Sequence, residues 1–230
     1  MILETGVVEA EVASIAIALP GTVDYEKGLL QYAHNLDWKD KDVRGDLEKR
    51  FDHPVNVRIE NDANVGALGQ AHSGAGKGYR SVLYVTLSTG IGTGVIIDGN
   101  VAPALRLSEG GKMRFEWDGT LQKWEDFASG KAFVKRFGTR GDETSDPAVW
   151  KQYAESIAQG FYNLTMVVMP DVIVIGGSMG THFYRYGDML KAEIDRIAPE
   201  CEDFARMNIV GATDSDNAVI NGTWDLATCR

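Results

Sequence analysis

The stretch that most constrains this chain is Ile59-Glu60-Asn61-Asp62-Ala63-Asn64-Val65-Gly66-Ala67-Leu68-Gly69. Ahead of it, Pro54-Val55-Asn56-Val57-Arg58 alternates valine with polar residues, the period of a half-buried strand. Behind it, a run of small residues over 63–71 reads as a helix. Asn61 and Asp62 therefore stand where a strand ends and a helix begins. Helix-start amides point outward there and favour a carboxylate. Taken alone, Asp62 reads as a helix cap. Its place at the carboxyl end of a strand, where open α/β sheets take their ligands, makes it a candidate for chemistry as well.

The flanking sequence repeats this logic. Val12-Ala13-Ser14-Ile15-Ala16-Ile17-Ala18-Leu19 is an apolar run closed by Pro20-Gly21, a buried strand and a turn. Residues 22–30 read as a small excursion, and His34-Asn35-Leu36-Asp37-Trp38 as a polar-aromatic loop. Residues 46–51 have helical spacing and lead into the strand before Asn61. Strand, loop, helix and strand in this order predict a parallel α/β layer.

Gly74-Ala75-Gly76-Lys77-Gly78 is a flexible loop. Residues 81–87 and 95–99 read as the strands of a hairpin, with Ser88-Thr89-Gly90-Ile91-Gly92-Thr93-Gly94 as its turn. Glycine lets a backbone approach phosphate closely. The Walker spacing with its Lys-Ser/Thr ending is absent, so on its own this turn reads as a plain hairpin. Residues 107–115 read as a glycine-rich loop, and Trp124-Glu125-Asp126-Phe127-Ala128-Ser129-Gly130 leads into a helix through residue 137. Ser145-Asp146-Pro147 is a helix start, followed by a long amphipathic helix over 148–168. Asp171-Val172-Ile173-Val174-Ile175 is a buried strand ahead of Gly176-Gly177-Ser178. A helix over 183–197, a strand over 207–210 and a closing helix over 217–228 complete the reading.

Composition sets limits on partners. A length of 230 residues is enough for one large domain or two small ones. The net charge of −10 opposes binding to nucleic acid or acidic membranes, which requires positive charge. Cys201 and Cys229 build neither a disulfide framework nor a zinc site, which suits a reducing cytoplasm. No apolar run approaches membrane-spanning length, and no charged-then-apolar leader opens the sequence.

Seven motifs then occur in a telling order: Pro20-Gly21-Thr22-Val23-Asp24, Asn35-Leu36-Asp37-Trp38, Asn61-Asp62-Ala63-Asn64, Gly74 to Gly78, Ser88 to Gly94, Glu125-Asp126-Phe127-Ala128-Ser129-Gly130, and Ile173-Val174-Ile175-Gly176-Gly177. With them the chain resembles the ROK family (repressors, open reading frames, kinases) of sugar kinases, in the actin/hexokinase superfamily of two-lobed ATPases. The resemblance implies an actin-like, ribonuclease-H-like α/β fold with an incomplete N-terminal lobe. Residues 1–66 with 217–230 would form the small lobe and 67–216 the large one. It implies that Asp62 is the base taking the proton from the attacking sugar hydroxyl. Gly21, Asn35, Asn61, Glu109 and Glu125 would serve the sugar, Thr89 and Gly90 the phosphates, and Gly177 the adenosine side. ATP with Mg²⁺ would be the cofactors, and a hexose, a nucleotide and a second copy of the chain the partners. Without the resemblance, Glu125 reads as an exposed helix-start acid.

The departures from the family pattern also carry expectations. The family's opening Asp-x-Gly-Thr phosphate loop has no counterpart before Val12, so the first small-lobe strands are read as missing and the edge at residues 15–19 as unpaired. Losing one phosphate clamp scales as roughly 10³ or more in rate. Lys112 stands where many relatives place a zinc-binding histidine, and Gly119-Thr120-Leu121-Gln122-Lys123 replaces their cysteine cluster. An ammonium has no lone pair for a metal, so no structural zinc is expected, as in the zinc-free glucokinase-like branch. Ser88 replaces a usual glycine, a mild change if its φ is negative. No helix-turn-helix is seen, so DNA binding is not expected. The expected function is a cytoplasmic glucokinase-like hexose kinase, impaired by the lost loop. The alternative is a non-catalytic sugar-binding or structural remnant.

Overall fold

The apolar run before Pro20 and the alternating segment before Asp62 become neighbouring strands in a computed structural model, which describes residues 8–33, 36–199 and 208–228. Strands β1 (Ser14–Leu19) and β5 (Asn56–Asn61) pair in parallel, with Leu19 opposite Asn61. β1 has no other strand partner among the described residues. Between them the chain makes an antiparallel meander, β2 (Thr22–Asp24), β3 (Leu29–Ala33) and β4 (Trp38–Asp42), and a short helix α1 (Val43–Glu48) capped by Asp42. This corrects the expected excursion and loop. Trp38 opens a strand, and α1 lies three residues earlier than the helical spacing suggested. Leu19, Val23, Leu30, Val43, Val57 and Ile59 close a small core of their own.

Helix α2 (Asp62–His72) follows β5 without a gap. It leads to a five-stranded sheet built from β6 (Ser81–Leu87), β7 (Ile91–Ile97), β8 (Asn100–Val101), β11 (Val172–Gly176) and β12 (Asn208–Gly211). Its order is β12-β11-β6-β7-β8. β12, β11 and β6 are parallel, and β7 and β8 antiparallel. Both faces are covered, so the central strands read as continuous apolar runs. On one face Leu83, Val85, Leu87, Ile173 and Ile175 meet an aromatic layer. On the other, Val82, Tyr84, Val172 and Val174 meet Ala67 and Leu68 of α2.

The aromatic layer comes from the intervening helices. A hairpin, β9 (Arg114–Trp117) and β10 (Thr120–Lys123), leads into α3 (Trp124–Ala128), α4 (Gly130–Phe137) and the long α5 (Pro147–Val168). Trp124, Phe133, Trp150, Tyr153 and Phe161 of these helices are fully buried, together with Tyr186 of α7 (Phe183–Ile197). Trp150 stacks on Tyr186 with ring centroids 5.7 Å apart. Asp146 caps α5 by accepting from Ala148 N–H, with Pro147 in the first turn as expected. The hairpin begins inside the stretch read as loop, at Arg114 and Phe115, and continues through residues for which no element is expected; the single helix expected through residue 137 is broken at Ser129. That side chain caps α4 by accepting from Ala132 N–H. A one-turn helix α6 (Gly177–Gly180) follows β11.

The last described helix, α8 (Ala218–Thr228), returns from the large sheet to pack on α2 and on β1. The crossing requires glycine. A β-carbon on Gly222 would lie 1.8 Å from the Val65 carbonyl oxygen, and one on Gly69 would lie 2.2 Å from the Ala218 carbonyl oxygen. Cys201, Cys229, His34 and Asn35 lie outside the described residues, as do residues 1–7. No described helix is long and apolar enough to cross a membrane.

Candidate active site

The carboxyl ends of β1 and β5 present Pro20-Gly21 and Asn61-Asp62 side by side. Asn61 rather than Asp62 is the cap of α2: its side-chain oxygen accepts from Ala63 N–H at 2.9 Å, and its φ and ψ are extended. Asn61 also donates to the Gly21 carbonyl at 3.1 Å, tying the two strand ends together. Asp62, released from the capping position, is the first helical residue and shares the Ala63 N–H at 2.9 Å. Its side chain is exposed on the side of a cavity. Partial desolvation by the surrounding protein still pushes its carboxyl above the ordinary aspartate range; two backbone hydrogen bonds oppose the rise and nearby Glu109 adds to it.

Directly behind Asp62 lies a polar cluster that the sequence did not announce. Glu60 is 1% exposed. One of its oxygens accepts from Asn61 N–H at 2.8 Å and from the Asn64 side-chain amide at 2.9 Å. The other accepts from Arg106 Nε at 2.8 Å. The Arg106 guanidinium lies 3.5 Å over the Tyr25 ring. Burial, and then the Glu60 carboxylate, hold the Tyr25 hydroxyl above its usual range, so it stays protonated. Glu60 and Arg106 are far apart in sequence, and no local pattern marks them as partners.

Gly21, Asn61, Asp62 and Glu109 come together around a cavity of about 300 Å³, joined by Arg106 and Lys112. Glu109 precedes a 3₁₀ turn, Gly110–Lys112, and its carboxylate accepts from Lys112 Nζ at 2.9 Å. No group of three or more His, Cys, Asp or Glu side chains suited to a metal occurs among the described residues.

Glu125 and Glu109 were expected to serve one sugar. The structure puts them in adjoining cavities. Glu125 lines a larger groove of about 1030 Å³ together with Thr89 and Gly90, and shares Gly21, Thr22 and Lys112 with the smaller one. A β-carbon on Gly90 would lie 2.9 Å from the Glu125 carboxylate, which fixes their proximity. Lys112, Lys123, Lys131 and Lys135 outnumber Glu125 and Asp126 along this groove, a local cationic surface on an acidic chain. The turn itself is shorter than expected, Ser88-Thr89-Gly90 alone. Gly92 and Gly94 belong to β7, where a β-carbon would press on Ala63 of α2 at 3.0 and 2.6 Å. Those glycines let helix approach strand. Ser88 is not among the residues with positive φ.

Gly177 lines neither cavity. It stands at the carboxyl end of β11, against Thr86 and Leu87 of β6, and the neighbouring Ser178 hydroxyl is 3.5 Å from that of Ser88. It therefore shares the ligand-facing edge of the large sheet. Asn35 lies outside the described residues.

Two sheets whose parallel strands end on opposite walls of one cleft, bridged by α2 and α8, define an actin-like ATPase fold of the ribonuclease-H-like kind. The comparison with known proteins is specific. The ROK family matches residues 4–230, and the chain belongs to that family. A glucokinase from Streptomyces coelicolor is 35% identical over 149 residues, covering 60% of this chain and 45% of that protein. A xylose repressor from Bacillus subtilis is 33% identical over 139 residues, covering 57% and 35% respectively. The chain thus spans about half or less of the length of these curated relatives. The crystal structure of a ROK family glucokinase from Streptomyces griseus, in complex with glucose and AMPPNP, superposes with a TM-score of 0.80 at 23% identity. It covers 97% of this chain and 83% of that one.

Proposed function

We propose that the protein acts on a hexose in the manner of a glucokinase, with ATP as phosphoryl donor. The sugar would occupy the smaller cavity and the phosphates the cationic groove beside it. In this reading Asp62 takes the proton from the attacking hydroxyl. That hydroxyl oxygen bonds to the γ-phosphorus as the bond to the β-phosphate oxygen breaks, leaving ADP. Asn61 and Gly21 would orient the sugar from the small lobe, residues 1–66 with 217–230. Glu109 and Glu125 would do so from the large lobe, residues 67–216, with Asn35 assigned to the sugar by family resemblance alone. Thr89 and Gly90 would hold the phosphates, and Gly177 would flank the adenosine. Mg²⁺ would accompany the nucleotide and neutralise phosphate charge.

The observation that carries this reading is the state of Asp62. Its cap duty has passed to Asn61, its carboxyl is raised by partial desolvation toward working pH, and it opens on a cavity lined by Glu109 from the opposite wall. A base works best when its pKa nears the operating pH. The test pairs calorimetry with glucose and a coupled ATP assay. Asp62→Asn should keep glucose affinity while turnover falls by roughly 10²- to 10⁴-fold. Equal turnover in parent and variant would remove Asp62 from the mechanism.

A second reading rests on the phosphate side, where the described residues supply one turn, Ser88-Thr89-Gly90. If the parent binds glucose but shows no turnover, the chain is a sugar-binding remnant. Turnover near an ordinary ~10 s⁻¹ would exclude that.

A further inference from the structure

We infer that the Glu60–Arg106 pair, its carboxylate buried and its guanidinium partly exposed, is a positioning device. It fixes the Asn61-Asp62 turn against the 102–109 segment, so that Asp62 and Glu109 converge on one ligand only while the pair is intact. The inference rests on the sugar-site reading above, and it names residues that this reading leaves without a role.

Three chain segments meet at the pair. Tyr25 follows β2, Glu60 and Asn64 flank Asp62, and Arg106 lies three residues before Glu109. Each segment also lines the 300 Å³ cavity. The ties are made twice over. Arg106 Nε reaches the Glu60 carboxylate at 2.8 Å, and the Arg106 carbonyl accepts from the Asn64 amide at 2.9 Å. The same Asn64 amide reaches Glu60 at 2.9 Å. Glu60 also accepts from Asn61 N–H at 2.8 Å, so the carboxylate holds the peptide that leads into Asp62. The Tyr25 ring, 3.5 Å beneath the guanidinium, closes the cluster from the third side.

An ion pair with one buried partner is a poor source of net stability, because desolvation of Glu60 offsets the attraction; where such pairs have a demonstrated use, it is in fixing geometry. Here the pair joins the two walls of the cleft at the level of the ligand cavity. A misplacement of about 1 Å in such a constellation costs on the order of 10²-fold. Neither wall carries Asp62 and Glu109 together, so something must set the distance between them. Glu60, buried behind Asp62, and Arg106, at the cavity's edge, are charged groups that span that gap.

The experiment compares the whole chain with Glu60→Gln, Arg106→Gln and the double variant. Glucose and AMPPNP affinities are measured separately by calorimetry, and amide exchange is read at residues 60–63 and 105–110. Each single variant should weaken glucose about 10- to 100-fold and leave AMPPNP within about twofold, and the double should be no worse than either single. Exchange should quicken in both segments together. Additive losses, or parallel losses of glucose and nucleotide, would make the pair merely structural and overturn the inference, as would no change at all. If the parent itself binds no glucose, the sugar-site reading fails, and exchange alone decides: quickening confined to the segment that carries the substitution overturns the coupling. Should Glu60→Gln fail to fold, Arg106→Lys keeps the charge but loses the flat stacking on Tyr25. It should give a smaller shift with the same glucose-only signature, and a shift shared with AMPPNP counts against the inference.

Discussion

The two sheets are made of similar apolar strands but are covered differently. Every residue of β11 is buried, because α5 and α7 lie over one face of the large sheet and α2 over the other. In β1 only Leu19 is fully buried, and the five residues before it are half-exposed. The aromatic side chains follow the same division: Trp124, Phe133, Trp150, Tyr153, Phe161 and Tyr186 all serve the large sheet. Local stability follows burial and contact density. The wall that carries Glu109 and Thr89 is therefore the firm one. The wall that carries Asp62 is the compliant one, steadied from outside by α2, α8 and the Glu60–Arg106 pair. A ligand-binding cleft has use for one wall of each kind, since closure around ligand requires movement on one side.

The largest effect should come from the firm side. Trp150→Ala removes a fully buried ring stacked on Tyr186, and a loss of about 3–5 kcal/mol is expected. Because α8 joins the two sheets, chemical denaturation of this variant should move fluorescence and circular dichroism together. Separate transitions would break the comparison by showing two independent bodies. A matched pair sharpens it. Ile173→Val in the large sheet and Ile59→Val in the small one each delete one buried methylene, at about 0.5–1.5 kcal/mol apiece. Native-state amide exchange should report Ile173→Val only through global unfolding, but Ile59→Val through quicker local opening of β1 and β5. Equal patterns would mean that the small sheet is no more compliant than the large.

The smallest effect is electrostatic and belongs to Asp62. Its folded carboxyl binds a proton more tightly than the unfolded chain does. Keeping it ionised therefore costs folding stability above the folded pKa, and that cost fades as pH falls toward the ordinary aspartate value. Asp62→Asn should accordingly melt slightly higher than the parent at neutral pH, with the gap narrowing as pH falls toward about 4 and closed below it. A gap independent of pH would show that the gain has another source.

How far the sequence foretold this depended on whether a segment's neighbours were near it in the chain. β1, the Asn61-Asp62 junction, β6, α5 with its Asp146-Pro147 start and β11 were legible because period, cap and proline act locally. β4 was not: Trp38-Lys39-Asp40-Lys41-Asp42 has no apolar alternation, since it lies exposed at the margin of its sheet. The β9–β10 hairpin was signalled by Asp118-Gly119, both with positive φ, but residues 116–123 carry too little alternation to read as strands. Gly92 and Gly94 looked like part of a phosphate turn because sequence does not reveal which helix will lie across a strand. The cap was assigned to Asp62 where Asn61 holds it, since either side chain suits the position. The Glu60–Arg106 pair was invisible for the same reason as the glycines: both are set by packing between distant segments.

The return of α8 to the small sheet has a consequence in time. During synthesis β1 through β5 leave the ribosome about 150 residues before α8 does, and at roughly 5–20 residues per second that is a wait on the order of 10–30 s. Throughout it, the face of β1 that α8 will cover stays open, and Gly69 has no Gly222 to receive. The newborn chain thus holds Asp62 on a half-covered scaffold until α8 arrives. Slow translation or scarce chaperones should therefore lower the yield of this protein more than its finished stability would suggest.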